Sequence, residues 1–229
     1  MTMQGAQEIV LVGNPNTGKT TIFNALTGLR HTTANYPGVT VERRAGHMKL
    51  LNGEEVSVID LPGAYSLLPR SPDEQVVHDV LFGAQKGTSL PDLVLVVLAA
   101  NNLERNLYLG AQAAELGLRT VFVINMWDIA NETGIVIDLD KLEAMTGVRC
   151  VASAGMKSGY IEKLKKVIEE ELEKNPMRPR TFDPAVLPEV RYRVIENIIQ
   201  ASVRRMEKRS LIIPRLPMPP VTPVFTLPV

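Results

Sequence analysis

One stretch of the sequence has the residue types and the spacing that bind nucleotide phosphates. Residues 13–20 match the pattern G-x-x-x-x-G-K-[ST] and lie between a predicted strand and a predicted helix. Glycines let backbone N–H groups surround phosphate oxygens, and the helix N-terminus adds the positive end of its dipole. We expect Lys19 to reach the β- and γ-phosphates and Thr20 to bind Mg²⁺. The alternative, a chance glycine-rich turn, is disfavoured by the matching flanks. The residues expected to contact nucleotide here are Gly13, Asn14, Pro15, Asn16, Thr17, Gly18, Lys19, Thr20 and Thr21.

A second motif, Asp60-Leu61-Pro62-Gly63, follows another predicted strand. An aspartate at the carboxyl end of a strand, opposite a phosphate loop, is placed to hold Mg²⁺ through water. The Gly63 amide can then meet the γ-phosphate. An isolated D-x-x-G motif is usually an ordinary turn. Here its specificity comes from its position in the sequence after the phosphate loop, residues 13–20.

Two later motifs have the chemistry to recognise a guanine base. Residues 125–128 read Asn-Met-Trp-Asp at the end of a predicted strand. The Asp128 carboxylate can accept hydrogen bonds from the N1–H and the exocyclic amine of guanine, a donor pair that adenine lacks. The alternative for this motif is a strand-end turn with a helix cap. Residues 153–155 follow the last short strand, and their backbone amides could bind the guanine O6. The residues expected on the base side are Asn125, Met126, Asp128, Ser153, Ala154 and Gly155.

The elements that must position these motifs alternate along the chain. Strands are predicted over 8–12, 46–51, 55–60, 92–99, 119–125 and 148–152, and helices over 19–27, 103–116, 139–145 and 158–174. This alternation predicts a three-layer α/β fold with a mostly parallel sheet and helices on both faces. The Asn52-Gly53 pair predicts a hairpin, which adds one antiparallel edge strand. Because open α/β sheets bind ligands at the carboxyl ends of their strands, we expect the four motifs to meet there.

The chain changes character after residue 174. We predict a nucleotide-binding domain over 1–174, a proline-rich linker over 175–188 and a helical region over 189–209, with its helix spanning 189–208. The segment 210–229 is proline-rich and is expected to be poorly ordered, because it can be neither helix nor central strand.

Composition excludes several classes of protein. Lys plus Arg and Asp plus Glu both number 25, so there is no basic excess, and we expect no nucleic-acid partner. The single cysteine, Cys150, forms no internal disulfide and favours a reducing compartment. The start of the sequence lacks the pattern of a signal peptide, and the longest apolar run, 93–100, is too short to span a bilayer. We expect the chain by itself to be soluble.

The four motifs, in this order, resemble those of the Ras-like P-loop GTPases over about 8–174. The strings GNPNTGKTTIFNALTG, NYPGVTVERRAG, DLPGAYSL and NMWD are similar to the cytosolic GTPase domain of FeoB, the bacterial ferrous iron transporter. The resemblance implies a Mg²⁺-dependent P-loop GTPase domain, with a short helical appendage, that converts GTP to GDP and phosphate. It also implies a location at the cytoplasmic face of the bacterial inner membrane. There the domain would control Fe²⁺ passage through a membrane-embedded portion that is not contained in this sequence.

The same resemblance assigns roles to two further residues. Candidates for a Mg²⁺-binding threonine ahead of the hairpin are Thr32, Thr33 and Thr40, and the G-V-T string of the family favours Thr40. Asn16 matches the loop asparagine that helps bind K⁺ beside the phosphates in potassium-activated GTPases, although asparagine also suits a turn. The expected catalytic residues are Lys19, Thr40, Gly63 and Asn16, the Mg²⁺ ligands Thr20, Thr40 and Asp60, and the K⁺ ligand Asn16.

Several points stay open at the level of sequence. Ala64 stands where Ras-type enzymes have the glutamine that orients water, so hydrolysis should be slow or should use other groups. A nucleotide-sensing module without useful turnover is therefore one alternative. A potassium-activated GTPase of ribosome assembly or tRNA modification is another, although zero net charge counts against it. A homo-oligomer is also possible. The basic residues Arg204, Arg205, Lys208 and Arg209 could face anionic lipid or form a solvated helix end.

Overall fold

A mixed sheet forms the centre of the chain in the computed structural model, which describes residues 7–36, 39–84, 89–155, 157–174 and 187–206. The strands are β1 (Glu8–Gly13), β2 (His31–Asn35), β3 (Glu42–Lys49), β4 (Glu55–Asp60), β5 (Leu93–Ala99), β6 (Thr120–Asn125), β7 (Ile135–Ile137), β8 (Arg149–Ala152) and β9 (Val203–Arg205). The helices are α1 (Lys19–Thr27), α2 (Pro72–Leu81), α3 (Leu103–Glu115), α4 (Trp127–Glu132), α5 (Leu139–Thr146), α6 (Ser158–Leu172) and α7 (Pro188–Ser202), and a 3₁₀ turn (Ala100–Asn102) precedes α3.

Within the described ranges, seven strands form the central sheet in the order β2-β3-β4-β1-β5-β6-β8. Strand β3 runs antiparallel to both of its neighbours, and the pairs from β4 to β8 are all parallel. This confirms the prediction of a mostly parallel α/β sheet with an antiparallel region at one edge.

The edge strand β2 was not predicted. Its five residues are all exposed, so it has no alternation of apolar and polar side chains that would mark a strand. Two of the three threonine candidates, Thr32 and Thr33, lie on this strand and not in a loop.

Apolar side chains fill both faces of the sheet, because successive residues of a strand point to opposite sides. Val10 and Val12 of β1 join one core cluster with α2, α3, α5 and α7, whereas Ile9 and Leu11 join another with α1 and α6. Every residue of β5 is buried, as its continuous apolar run predicts. These contacts produce the three layers expected from the sequence.

Helix α2 also went unpredicted, although its start carries a recognisable signal. Ser71 is the N-cap residue, and its side-chain oxygen accepts a hydrogen bond of 3.2 Å from the Glu74 amide. Pro72 occupies the first helical position, where its missing N–H costs nothing. The S-x-x-E spacing is that of a capping box.

The C-terminal helix is shorter than predicted. The prediction extended it to residue 208, but α7 ends at Ser202 and the chain continues as β9, which pairs antiparallel with β7. Arg204 and Arg205 lie on this strand although arginine has good helix propensity, so the pairing overrides a local preference. Lys208, Arg209, the linker residues 175–186 and the segment 210–229 lie outside the described residues.

Helix α7 packs against α3 and α5. Ile195 and Ile198 are buried in the core cluster. Arg191 donates to both carboxylate oxygens of Glu115 on α3, at 3.0 and 2.8 Å. Nearby, the rings of Tyr108 and Tyr192 stack with centroids 4.9 Å apart. Within the described part of the chain, no helix is long and apolar enough to cross a membrane.

We predict that α7 contributes to the stability of the whole described unit. Ile195→Ala should lower the free energy of unfolding by about 3 kcal/mol, because it leaves a cavity in the core. Val194→Ala is the matched control: its parent side chain is exposed on the same helix, and it should cost about 0.5 kcal/mol or less. Urea unfolding of both variants measures the difference. Equal losses in the two variants would contradict the packing of α7 against α3 and α5.

Candidate nucleotide-binding site

The carboxyl ends of four strands bring the sequence motifs to one edge of the sheet. Strand β1 ends at Gly13, β4 at Asp60, β6 at Asn125 and β8 at Ala152. These strands run parallel within the order β4-β1-β5-β6-β8. The phosphate loop, the D-x-x-G motif and the two base-recognition motifs thus share the edge where such sheets bind ligands.

The phosphate loop turns sharply between β1 and α1. Asn16 and Gly18 both have positive φ, at 66° and 81°, and asparagine and glycine are the residues that adopt this conformation most easily. The Thr17 hydroxyl donates a 2.9 Å hydrogen bond to the Asn14 carbonyl, which closes the turn. A Cβ atom at Gly13 would lie 2.6 Å from the Val97 carbonyl oxygen, so only glycine fits there.

A buried charged cluster lies at the start of α1. Lys19 donates to a carboxylate oxygen of Asp60 and to the Leu61 carbonyl. The Thr20 hydroxyl donates to the other Asp60 oxygen at 3.0 Å. Burial lowers the pKa of Lys19, and the Asp60 carboxylate opposes this shift. The cluster therefore joins the phosphate loop to the end of β4 through both oxygens of one carboxylate.

The chemistry of this cluster fits a Mg²⁺ ion shared with phosphate groups. The hydroxyl of Thr20 and the carboxylate of Asp60 are hard oxygen ligands within hydrogen-bond distance of each other. Asn16 offers an amide oxygen, also a hard ligand, from an exposed position on the same loop. That oxygen type suits K⁺.

Two adjoining cavities open beside the cluster. One, of about 390 Å³, is lined by the phosphate loop, Gly63 and Asp73. The other, of about 270 Å³, shares Lys19, Thr20, Gly63 and Asp73 with it and extends to Arg44. Together they provide space for phosphate groups over the N-terminus of α1. Asp73, which sits in the first turn of α2, was not identified from the sequence.

A larger cavity of about 640 Å³ lies away from the four motifs. It is lined mainly by carboxylate and amide side chains. Its acidic residues are Glu54, Glu55, Asp92, Glu169 and Glu173. These carboxylates would repel phosphate, so size alone does not identify the nucleotide site.

Asn125 links the phosphate loop to the base-recognition motifs. Its Nδ2 donates to the Thr17 carbonyl at 2.9 Å, and its Oδ1 accepts from the Gly155 amide at 3.1 Å. A Cβ atom at Gly18 would overlap Nδ2 of Asn125, so this close approach depends on glycine. The sequence motif had placed Asn125 among the base contacts, and its position between the two loops was missed.

The Asp128 carboxylate is partly exposed on the side of the site where the base is expected. Lys157 donates to one of its oxygens at 2.8 Å, and the Ile129 amide donates to the other at 3.0 Å. The hydrogen bond from Lys157 is the main cause that lowers the pKa of Asp128. The carboxylate therefore stays ionised and ready to accept hydrogen bonds. Lys157, which precedes α6, was also missed from sequence.

Backbone contacts hold the two base-recognition motifs together. Met126 adopts a positive φ of 59° at the start of α4, and the following Trp127 amide donates to the Ser153 carbonyl at 3.0 Å. Ser153 is fully buried, and its hydroxyl oxygen has no hydrogen-bond partner among the described residues. Residues 125–128 and 153–155 thus form one continuous wall.

The residues expected to sense the γ-phosphate are only partly assembled. Ala64 is fully buried and its amide donates to the Gly13 carbonyl at 3.2 Å, so the position of the missing glutamine faces the core. Thr40 is exposed, and no hydrogen bond joins it to the Lys19 cluster within the described ranges. The neighbouring Val41 does line the second cavity. Thr40 is therefore next in sequence to a residue of the cavity wall, but it is not part of the Lys19 cluster.

Comparison with known sequences finds one family. Residues 7–168 match the family model described as ferrous iron transport protein B. The Fe(2+) transporter FeoB of Shigella flexneri is 43% identical over 166 residues, which cover 70% of this chain and 21% of that protein. The chain therefore spans about a fifth of the length of the curated relatives it matches.

Comparison with solved structures finds the same family as the comparison with sequences. The cytosolic domain of L. pneumophila FeoB has a TM-score of 0.75 and 30% identity, covering 87% of this chain and 100% of that chain. The cytosolic domain of the T. maritima FeoB iron transporter in its GMPPNP form has a TM-score of 0.76 and 28% identity, covering 86% and 99%. Its GDP form I has a TM-score of 0.76 and 27% identity, covering 87% and 98%.

We predict that Asn125 holds the two halves of the site together and can do so only because Gly18 has no side chain. Gly18→Ala should push Asn125 off the Thr17 carbonyl and lower the free energy of unfolding. Gly28→Ala is the matched control, because Gly28 ends the same helix with positive φ and a Cβ atom there would meet none of the described residues within 4 Å. The control should cost about 1 kcal/mol for backbone strain, and Gly18→Ala about 2 kcal/mol more for overpacking.

Urea unfolding measures both variants, and hydrogen exchange at the Gly155 amide reports whether its bond to Asn125 is lost. If Gly18→Ala costs no more than Gly28→Ala and leaves that amide protected, the contact through Asn125 is not a constraint.

Proposed function

Because the chain belongs to the ferrous iron transport protein B family, we propose that it binds GTP at this edge of the sheet and hydrolyses it to GDP and phosphate. The observation that carries the proposal is the cluster of Lys19, Thr20 and Asp60 beside the two cavities. A phosphate-binding lysine and two oxygen ligands for Mg²⁺ are the groups that GTP hydrolysis needs.

The phosphate half of the site works by exchange of ionic partners. Without nucleotide, Lys19 neutralises the Asp60 carboxylate. When GTP enters, the Lys19 ammonium transfers to the β- and γ-phosphate oxygens, and Asp60 and Thr20 become free to hold the metal. Mg²⁺, when bound, neutralises charge on the phosphates. The Gly63 amide would meet the γ-phosphate, and the exposed Thr40 hydroxyl would be a further oxygen ligand for Mg²⁺.

The base half of the site selects guanine. The ionised Asp128 accepts hydrogen bonds from the N1–H and the exocyclic amine, and the amides of residues 153–155 bind the O6. Asn125 fixes the spacing between this wall and the phosphate loop through its bonds to Thr17 and Gly155. The T. maritima domain solved in its GDP and GMPPNP forms supports guanine nucleotides as the ligands.

Hydrolysis depends on charge more than on a side-chain base. Position 64 is a buried alanine, so no side chain there orients water, and the intrinsic rate is slow. Asn16 would help to hold K⁺ beside the phosphates, and a cation there would supply the positive charge that an arginine finger gives in other GTPases. A nucleotide-sensing module without useful turnover is the second candidate, and the buried Ala64 is the observation that favours it.

The larger role proposed for this chain follows from its relatives. They are named as Fe(2+) transporters, and this chain corresponds to about a fifth of their length. We therefore propose that GTP binding and hydrolysis here regulate ferrous iron passage through a membrane-embedded portion, with this domain on the cytoplasmic face of the bacterial inner membrane. The same proposal includes the end of the nucleotide-binding domain at about residue 174 and the start of the helical region at about residue 189.

We predict that K⁺ accelerates hydrolysis through Asn16. The wild-type chain with Mg²⁺ should hydrolyse GTP on the order of tenfold or more faster in KCl than in NaCl, and Asn16→Ala should lose that difference. Asn197→Ala, an exposed asparagine on α7, is the control and should behave as wild type. Phosphate release at matched ionic strength is the measurement.

The other outcomes are equally informative. Equal and negligible rates in both salts, with tight GTP binding, would replace the K⁺-activated enzyme by the nucleotide-sensing module. Failure to bind guanine nucleotides in the presence of Mg²⁺ would overturn the proposed function itself.

A further inference from the structure

Helix α3 holds the segment that follows the D-x-x-G aspartate. We call residues 61–71, between β4 and α2, the β4–α2 loop. Arg105 of α3 lies over the Tyr65 ring, 4.9 Å from its centroid. About two turns further along α3, Gln112 contacts the loop backbone. The loop is therefore fixed to a helix that takes no part in the phosphate or base contacts described above.

Gln112 makes an unusual buried hydrogen bond. Its side chain is fully buried, and its Oε1 accepts from the Leu67 amide at 2.9 Å. Its Nε2 is also buried and has no hydrogen-bond partner among the described residues. A buried amide with an unpaired donor is less favourable than an apolar side chain of equal size, because the unpaired N–H loses its hydrogen bonds to water. The bond to Leu67 is therefore the feature of Gln112 that packing alone does not explain.

The bond to Gln112 restricts where Gly63 can lie. The loop is anchored on one side by the Ala64 amide, which donates to the Gly13 carbonyl of the phosphate loop. It is anchored on the other side by the Leu67 amide, held by Gln112. Gly63 lies directly before the first anchor, and a Cβ atom there would come within 2.9 Å of Pro15. Between these anchors the Tyr65 amide donates to Oε1 of Glu74 on α2 at 3.1 Å, so the bond to Gln112 is one of three contacts that restrict the loop after Gly63.

We propose that Gln112 is a positioning residue for the γ-phosphate: by holding the Leu67 amide, it places the Gly63 amide where GTP, but not GDP, can use it. This rests on the proposed function and deepens it. Gln112 does not touch the nucleotide. It acts through the β4–α2 loop, so its removal should affect GTP and its hydrolysis while GDP binding is preserved.

The test compares nucleotide binding by Gln112→Met and by wild type, using fluorescent GDP and a fluorescent non-hydrolysable GTP analogue with Mg²⁺. Methionine keeps the length and apolar packing but removes the acceptor. The Kd for GDP should stay within about twofold, whereas the Kd for the analogue and the value of kcat should each worsen about tenfold.

Asn106→Leu is the matched control. Asn106 is a buried amide on the same helix, and its Oδ1 accepts from the Ala99 amide at 2.7 Å, outside the β4–α2 loop. This variant should lower the thermal midpoint yet keep the wild-type ratio of the two Kd values. A purely structural role for Gln112 would make the two variants behave alike, and that result would overturn the proposal.

A second variant separates loss of the acceptor oxygen from the change in packing, and its thermal midpoint shows whether the buried carboxyl group is tolerated. Gln112→Glu keeps an oxygen at the same reach, and it should retain the wild-type ratio of the two Kd values more fully than Gln112→Met. An equal ratio in both variants, or an unchanged ratio in Gln112→Met, would overturn the positioning role. A wild-type chain that bound neither nucleotide would instead overturn the proposed GTPase function, so the two failures are distinguishable.

Discussion

The ionic contact between Lys19 and Asp60 is the interaction on which the organisation of the site depends. Both side chains are buried, and a buried charge without a partner is strongly unfavourable. Their pairing requires β1 and β4 to lie side by side, and the register pairs Asp60, the last residue of β4, with Leu11 of β1. The apolar runs of both strands, packed between two layers of helices, maintain this register. A slip of one residue would turn Asp60 away from α1.

The groups expected to bind phosphate and the groups expected to bind the base lie at different strands of the same sheet edge, and one side chain connects them. Charge is concentrated at β1 and β4, where phosphates and Mg²⁺ are expected, and directional hydrogen bonding lies at β6 and β8, where the base is expected. Asn125 spans the gap because Gly18 leaves room for its amide. A loop held in this way needs little reorganisation when the ligand arrives, which reduces the entropic cost of binding.

Features marked by local patterns could be predicted from the sequence, and features created by long-range contacts could not. The buried strands β5 and β6 and the helix α1 follow from apolar runs and from the phosphate-loop pattern. Strand β2 is exposed throughout, so nothing in its sequence identifies it. Strand β9 pairs with β7, which is distant in sequence, so no local pattern marks it.

The candidate site shows the same division. The four motifs predict the residue types of the site, and the structure places all four motifs at one edge of the sheet. The side-chain contacts of Asn125, Lys157 and Gln112 depend on distances between loops that a sequence pattern does not contain. Helix α2 is different, because its capping signal at Ser71 was present in the sequence and was overlooked.

Lys19 should exchange its partner when the ligand binds, and a crystal structure with Mg²⁺ and a non-hydrolysable GTP analogue tests this most directly. We expect the Lys19 ammonium on the β- and γ-phosphate oxygens, with Thr20 and Asp60 beside the metal. A complex in which Lys19 remains on Asp60 while the nucleotide lies elsewhere would contradict the central claim.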